Sequence, residues 1–428
     1  MEAVSWSYSL PSGGGQGGAS YKFITMRLRN TETNAVQPLE RRPEPVRLYV
    51  CGITPYDTTH LGHAFTYVVF DVLVRALRAS GQPVRYVQNV TDVDDDIIKR
   101  ARELGTTWDH LAVKETALYA DDMADLNVLA PDVFPRASQT IPKIIALIVR
   151  LAASGHAYQR DGNVYFRVGS VADYGRLSRL SREEMITLSA QRGADPNDPR
   201  KQDPLDFVLW QASAPDEPRW ESPWGVGRPG WHIECSAMAL EYLGPQVDVH
   251  GGGADLIYPH HESEIAQSES VTGIRPFARV WVHVGMVRYQ GEKMSKSLRN
   301  LVLVRDLLKR YDADSIRVVL LRHHYREPWE YTEDQLDDAS AWTKRLRAAA
   351  ARASYGTGES ALAVRAALED DLDTPRALRL LDDALGRGDG GWRAAADLLG
   401  LRLGASGDAK QMKKALGWRA PFSNGGGS

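Results

Sequence analysis

The chain has 428 residues, is 43% hydrophobic and 25% charged, and carries a formal net charge of −3 with two cysteines. That length exceeds one ordinary core and predicts two or three domains of a soluble globular protein. No apolar run reaches spanning length and no charged-then-apolar leader opens the chain, which argues against a membrane protein and a secretion signal. Near-neutral charge gives no general push toward nucleic acid. Two distant cysteines without such a leader point to a cytoplasmic protein rather than to a disulfide.

Residues 1–24, with the Gly-rich stretch 11–19, predict a flexible leader. Residues 46–53 (Val-Arg-Leu-Tyr-Val-Cys-Gly-Ile) are β-branched and aromatic and predict a strand. Residues 61–79 predict a helix that stops before Gly81, and residues 84–90 a second strand. Strand, helix, strand is a βαβ unit and implies a parallel sheet, whose ligands bind beyond the carboxyl ends of the strands. Residues 51–54 and 89–95 both fall there. Residues 97–155 are mostly helical in pattern, and 161–230, richer in Gly, Pro and Trp, predict an irregular insertion. A strand is expected at 246–250, followed by a turn at Gly251-Gly252-Gly253. From Asp306 onward the pattern is helical, and 419–428 predict a flexible tail. The expected organisation is an α/β Rossmann-like catalytic domain over 25–305, with the insertion at about 97–230, and a helical domain over 306–418.

Three motifs carry chemistry. Thr58-Thr59-His60-Leu61-Gly62-His63 places two histidines where a strand hands over to a helix. The free N–H groups and positive dipole end there favour phosphate, and the imidazoles can bond its oxygens as charge shifts. Gly62 lets a flat ring such as adenine approach the backbone. Taken alone, the motif equally describes a helix start with two incidental histidines. Lys293-Met294-Ser295-Lys296-Ser297 follows Gly291 and can close over a polyphosphate, although as a lone pentapeptide it is better read as a solvated basic turn. The third motif unites the whole cysteine inventory. Cys51 ends the first strand, Cys235 lies in Gly-Trp-His-Ile-Glu-Cys, and His260 and Glu264 are i and i+4 on one helix face. Two thiolates, an imidazole and a carboxylate suit zinc, with His261 expected to point elsewhere and support the shell. Such an ion would lower the pKa of a substrate thiol and hold it as thiolate, while an alcohol resists deprotonation, so serine is rejected without editing. Asp255 could meet a substrate ammonium, or simply cap the turn after the glycines; Trp231 could wall the pocket, or pack in the core.

His-Leu-Gly-His early and Lys-Met-Ser-Lys-Ser late resemble the signature pair of class I aminoacyl-tRNA synthetases. Residues 51–57, 230–235, 250–256 and 259–262 resemble the cysteine-activating branch of that class, over about residues 25–385. Two families share these motifs, cysteine–tRNA ligases and the cysteine:glucosaminyl-inositol ligases of mycothiol biosynthesis. Ile53-Thr54-Pro55-Tyr56-Asp57, the Ala64-Phe65 that follows His63, and Gln191-Arg192-Gly193-Ala194-Asp195-Pro196 resemble the second family. So does the short stretch left after Asp371-Leu372-Asp373-Thr374-Pro375, where tRNA ligases continue into an anticodon-reading module. Glu264, Glu262–Glu269 and Gly291–Leu298 resemble the first.

The resemblance implies L-cysteine and ATP as substrates, with Mg2+ accompanying ATP, and glucosaminyl-inositol as acceptor in a monomeric enzyme; tRNA is the acceptor under the alternative. It implies adenylate contacts at Cys51, Gly52, Ile53, Thr54, Thr66, Asn89, Val90, Thr91, Trp231, Gly253, Ala254, Asp255 and Val287. It implies zinc on Cys51, Cys235 and His260, with Glu264 as a further ligand. His60 and His63 would attend the ATP phosphates, and Lys293 and Lys296 the departing pyrophosphate.

Overall fold

The computed structural model describes residues 26–56, 59–294, 300–351, 358–404 and 414–418. The expected leader and tail, and Thr58, Ser295, Lys296 and Ser297 of the two signatures, lie outside them.

A short antiparallel pair, β1 (Arg27–Asn30) and β2 (Ala35–Pro38), precedes β3 (Val46–Ile53), α1 (Leu61–Ala79) and β4 (Val84–Val90). The three expected elements of the βαβ unit therefore form with the expected bounds. β3 and β4 are apolar along most of their length and covered on both faces, as parallel strands must be. Their pairing is parallel, from Val46 opposite Val84 to Val50 opposite Gln88, and resumes one residue out of step at Ile53 opposite Val90. The extra residue is a bulge at Cys51-Gly52, which turns Cys51 out of the regular ladder toward the site.

Next come α2 (Asp95–Glu103), α3 (Trp108–Asp125) and α4 (Ile141–Ala153). β5 (Ala157–Arg160) comes just before the segment expected to be irregular, which holds β6 (Asn163–Phe166), α5 (Arg182–Gln191), β7 (Phe207–Ala212) and β8 (Gly227–Pro229). The four strands form one antiparallel sheet in chain order. Ile144, Ile148, Val164, Phe166, Leu209 and Trp210 fill its core.

The chain returns through α6 (Trp231–Leu243), β9 (Val247–Gly253), α7 (Glu262–Thr272) and β10 (Ala278–Val284) to complete a parallel sheet ordered β10-β9-β3-β4. The Gly251–Gly253 run, expected to turn, continues β9 instead. A Cβ on Gly251 would sit 2.1 Å from the Phe70 ring of α1, so only glycine lets strand and helix pack this closely.

β11 (Val287–Tyr289), β12 (Glu292–Lys293), α8 (Val304–Leu307), α9 (Ala313–Leu321), β13 (Trp329–Tyr331), α10 (Glu333–Ala350), α11 (Glu359–Glu369), α12 (Thr374–Arg387) and α13 (Trp392–Leu398) follow. β13, within the stretch expected to be helical, pairs parallel with β11 and steadies the β11–β12 hairpin that presents Lys293. α1 is apolar almost all round because it is covered on both sides. One face meets the sheet and the other meets the C-terminal helices. A single apolar core therefore runs from Leu48 and Val249 through Phe70 to Leu346, Leu381 and Trp392.

Candidate active site

A cavity of about 960 Å³ opens beyond the carboxyl ends of β3, β9 and β10. It is at the large end of the roughly 300–1,000 Å³ typical of small-molecule sites. Cys51, Gly52, Thr54, Thr66, Trp231, Gly253, Asp255 and Val287 of the expected adenylate set line it. Ile53 and Val90 do not, because both side chains alternate into the apolar core. Asn89, Thr91 and Ala254 also lie off the lining. Asn89 braces the bulge instead: its Oδ1 accepts from the Gly52 N–H at 2.9 Å and its Nδ2 donates to Cys235 Sγ at 3.4 Å. Thr91 donates to the Ile53 carbonyl, and its Oγ1 lies 3.0 Å from that of Thr54.

His60 is the N-cap of α1, its Nδ1 accepting from the Gly62 N–H at 3.1 Å. Its ring stacks on that of His63 with centroids 3.9 Å apart. Thr59, just before the cap, holds a positive φ of 73° that a β-branched residue rarely adopts. The strain is held by backbone pairing, Leu61 N–H to Val302 carbonyl and Val304 N–H to Thr59 carbonyl, both at 2.9 Å. The strand-to-helix turn is thereby tied to the chain just after the lysine-bearing hairpin. Lys293 Nζ reaches across to Asp255 Oδ2 at 3.3 Å. An ammonium thus already sits on the carboxylate expected to meet a substrate ammonium. Arg192, in the insertion segment 191–196, donates to the Asp255 carbonyl from the other side.

Beneath this cavity the four expected ligands converge. One ligand atom each from Cys51, Cys235, His260 and Glu264 lies within 4.8 Å of the others, and all four residues are buried. Both cysteines are free thiols. Glu264 Oε1 is 3.4 Å from Cys51 Sγ and 3.1 Å from His260 Nε2. No hydrogen bond satisfies that imidazole nitrogen. Its other nitrogen is engaged with His232 Nδ1 at 2.9 Å, and Trp231 stacks on the ring at 4.1 Å. A buried nitrogen facing a carboxylate and two sulfurs is the donor set of a zinc site, and it is satisfied when a cation sits among them. Burial pushes the Cys51 thiol and the Glu264 carboxyl well up and the His260 imidazole well down, so each favours its neutral form. A divalent cation reverses that preference for the thiol and the carboxyl, and binds the imidazole in the neutral form it already favours.

His261 does not point elsewhere. Its Nε2 lies 3.2 Å from Cys51 Sγ, and Cys51, His250 and His261 form a second close group. The cause is local. His261 and Glu264 are i and i+3 on one helix face, with His261 Nε2 3.9 Å from Glu264 Oε1, so ordinary helix spacing aims both histidines at the cluster. His261 is held in turn by His283 at 2.7 Å, and His250 holds the second oxygen of Glu264 at 3.0 Å. His250 and His283 are pushed down to about 3 by burial and are neutral imidazoles. This shell comes from β9, β10 and the turn before α7, which no local sequence pattern joins. Tyr56, Asp96, Lys99, Arg100 and Glu103, none of them among the expected site residues, line the outer part of the cavity.

The chain matches the model of the class I (C) tRNA synthetase catalytic domain over residues 36–341. It is 51% identical over 338 residues to the L-cysteine:1D-myo-inositol 2-amino-2-deoxy-alpha-D-glucopyranoside ligase of Acidothermus cellulolyticus, covering 78% of this chain and 84% of that one. It is 48% identical over 360 residues to the ligase of the same name from Thermobispora bispora, covering 84% and 89%. A cysteine–tRNA ligase of Dehalococcoides mccartyi is 48% identical over 331 residues, covering 76% and 71%. The Mycobacterium tuberculosis methionyl-tRNA synthetase bound by methionyl-adenylate shares the fold, at 17% identity and a TM-score of 0.58 over 87% of this chain and 88% of that one. A class I parallel sheet, the paired signatures and these relatives agree: the chain belongs to the class I (C) tRNA synthetase catalytic-domain family, in the cysteine-ligase branch.

Proposed function

We propose that the protein activates L-cysteine with ATP and transfers the cysteinyl group to the amine of glucosaminyl-inositol, forming an amide. The observation that carries the cysteine assignment is the buried set of Cys51, Cys235, His260 and Glu264 directly under the nucleotide-sized cavity. The acceptor follows from the relatives that carry the amino-sugar ligase name at up to 51% identity. Zinc on these four residues would supply a soft Lewis acid for the substrate sulfur. We also infer a monomeric, cytoplasmic enzyme. No described helix is long and apolar enough to cross a membrane.

The chain's own residues set up the first step. His60 and His63 at the N-terminus of α1 face the triphosphate, with Mg2+ accompanying ATP. The cysteine carboxylate attacks the α-phosphorus, forming the anhydride as the bond to pyrophosphate breaks. Lys293 leaves Asp255 for the departing phosphates, joined by Lys296, and Asp255 then takes the substrate ammonium. The acceptor amine next attacks the activated carbonyl, AMP leaves, and the nitrogen loses a proton. An amine is a strong enough nucleophile that positioning accounts for this second step.

Cysteine–tRNA ligase activity is the second reading, favoured by the Dehalococcoides mccartyi relative. The test supplies the zinc-loaded protein with ATP, cysteine and either glucosaminyl-inositol or tRNA. Amide formation with the amino sugar and no tRNA charging is expected. Charging of tRNA without turnover of the amino sugar would reverse the assignment.

A further inference from the structure

Nothing in the chemistry described so far uses α2, yet one face of it walls the outer cavity. Asp96, Lys99, Arg100 and Glu103 line it, at the i, i+3, i+4, i+7 spacing of a single helix face. The opposite face is anchored. Ile97, Ile98 and Ala101 pack on Leu111 and Ala112 of α3, with Tyr56 and Trp108 against them. The charged face is therefore held rigidly in place. Tyr56, also on the lining, donates its hydroxyl to Asp96 at 2.5 Å, and Arg100 pairs with Glu103 at 3.0 Å.

Position in the sheet separates this wall from the rest of the site. The order is β10-β9-β3-β4, and α2 follows β4 at one edge. Val284, Gly285, Met286 and Val287 line the cavity beyond β10, at the opposite edge. Cys51 on β3, with the sulfur cluster, lies between the two. With the nucleotide against Val287 on the β10 side, a cysteine held at the cluster would present its carbonyl to the open cavity on the β4 side.

We infer that this α2 face, with Tyr56, is the acceptor subsite, and that it recognises an uncharged polyol bearing one amine. The wall carries two carboxylates and two cations and so has no net charge. Carboxylates accept from sugar hydroxyls and from an ammonium, while guanidinium and ammonium groups donate to hydroxyl oxygens. A phosphate backbone would instead require a net positive wall, and Asp96 and Glu103 would repel it. The inference rests on the proposed acyl transfer and assigns the residues that choose its acceptor.

The test uses Asp96→Asn, Lys99→Met and Glu103→Gln in the full-length, zinc-loaded protein. Arg102→Gln is the control, on the same helix but off the cavity, where Arg102 pairs with Asp216 and Glu217. Two reactions are read for each: cysteine-dependent ATP–pyrophosphate exchange, and amide formation with glucosaminyl-inositol. Each cavity variant is expected to keep exchange and to raise the acceptor KM roughly tenfold or more, the cost of one charged hydrogen bond. Arg102→Gln should change neither. If exchange persists and the acceptor KM of all three variants matches wild type, the subsite is wrong while the cysteine reading stands. If wild type shows no cysteine-dependent exchange, or charges tRNA and not the amino sugar, the proposed function fails and takes the subsite with it. Should Asp96→Asn fail to fold through loss of the Tyr56 contact, the exposed Lys99 and Glu103 variants decide alone.

Discussion

Replacing Arg317 with methionine should loosen α1 from the C-terminal helices. Arg317 on α9 is fully buried and pairs with Asp71 on α1, the helix whose N-terminus carries His60. Its Nε donates to the Leu399 carbonyl at 2.6 Å and its Nη1 to the Leu126 carbonyl at 3.0 Å. Methionine fills similar space but leaves both carbonyls without that donor. Asp71 would keep Arg75 at 2.8 Å and the Leu129 N–H at 2.9 Å, so it would not be stranded. Removing one partner of a buried pair costs about 3–5 kcal/mol, and the surviving Asp71 contacts favour the lower end. At about 2 °C per kcal/mol the melting temperature should fall by about 6–10 °C. Burial alone would raise the Asp71 carboxyl, but Arg317 and Arg75 together hold it below its ordinary range. A depressed carboxyl contributes stability at neutral pH that is lost as pH falls through its unfolded value near 4 and below. The deficit of Arg317→Met should therefore be full at pH 7 and shrink below about pH 4. Thermal melts followed by circular dichroism across that range measure it. A loss under about 1 kcal/mol, or a deficit that grows on acidification, would refute the reasoning.

Two further substitutions probe the site itself. Gly52→Ala would place a Cβ 1.6 Å from the Asn89 carbonyl oxygen, so β3 and β4 must separate at the bulge that aims Cys51. We expect a loss of at least the roughly 1–3 kcal/mol of ordinary overpacking, read from the urea midpoint, together with loss of pyrophosphate exchange. His60→Asn keeps a good N-cap while His60→Ala does not. Both should slow exchange by roughly 10²–10³-fold, but only the alanine variant should also lose about 1 kcal/mol of stability. Equal stability loss in the two would show that the cap is not what His60 contributes to the fold.

The βαβ unit was legible because its strands are apolar on both faces and its helix is long, so β3, α1 and β4 need no distant information. The insertion was misjudged because its strands are as short as three to six residues. One local signal was available: Asp161-Gly162, both at positive φ, joins β5 to β6 as a two-residue hairpin loop. The glycines 251–253 carry turn composition, but Phe70 pressing on Gly251 decides in favour of strand. β13 was hidden inside a helical stretch because its partner, β11, lies some forty residues upstream. The four metal-ligand candidates were legible from residue type alone. The inward aim of His261 was missed although its i,i+3 spacing to Glu264 carried the signal; His283, from another strand, then holds the ring in place. Lys296 falls outside the described residues.

Cysteine activation at a zinc held by Cys51, Cys235, His260 and Glu264 is best tested by metal content measured alongside cysteine-dependent exchange, in wild type and Cys235→Ala. About one zinc per chain is expected in wild type, with exchange lost on chelation and restored by zinc. Cys235→Ala should bind the metal at least roughly 10–100-fold more weakly and lose cysteine-dependent exchange in parallel. Wild type that exchanges undiminished without metal, or Cys235→Ala that retains both zinc and full exchange, would contradict the account.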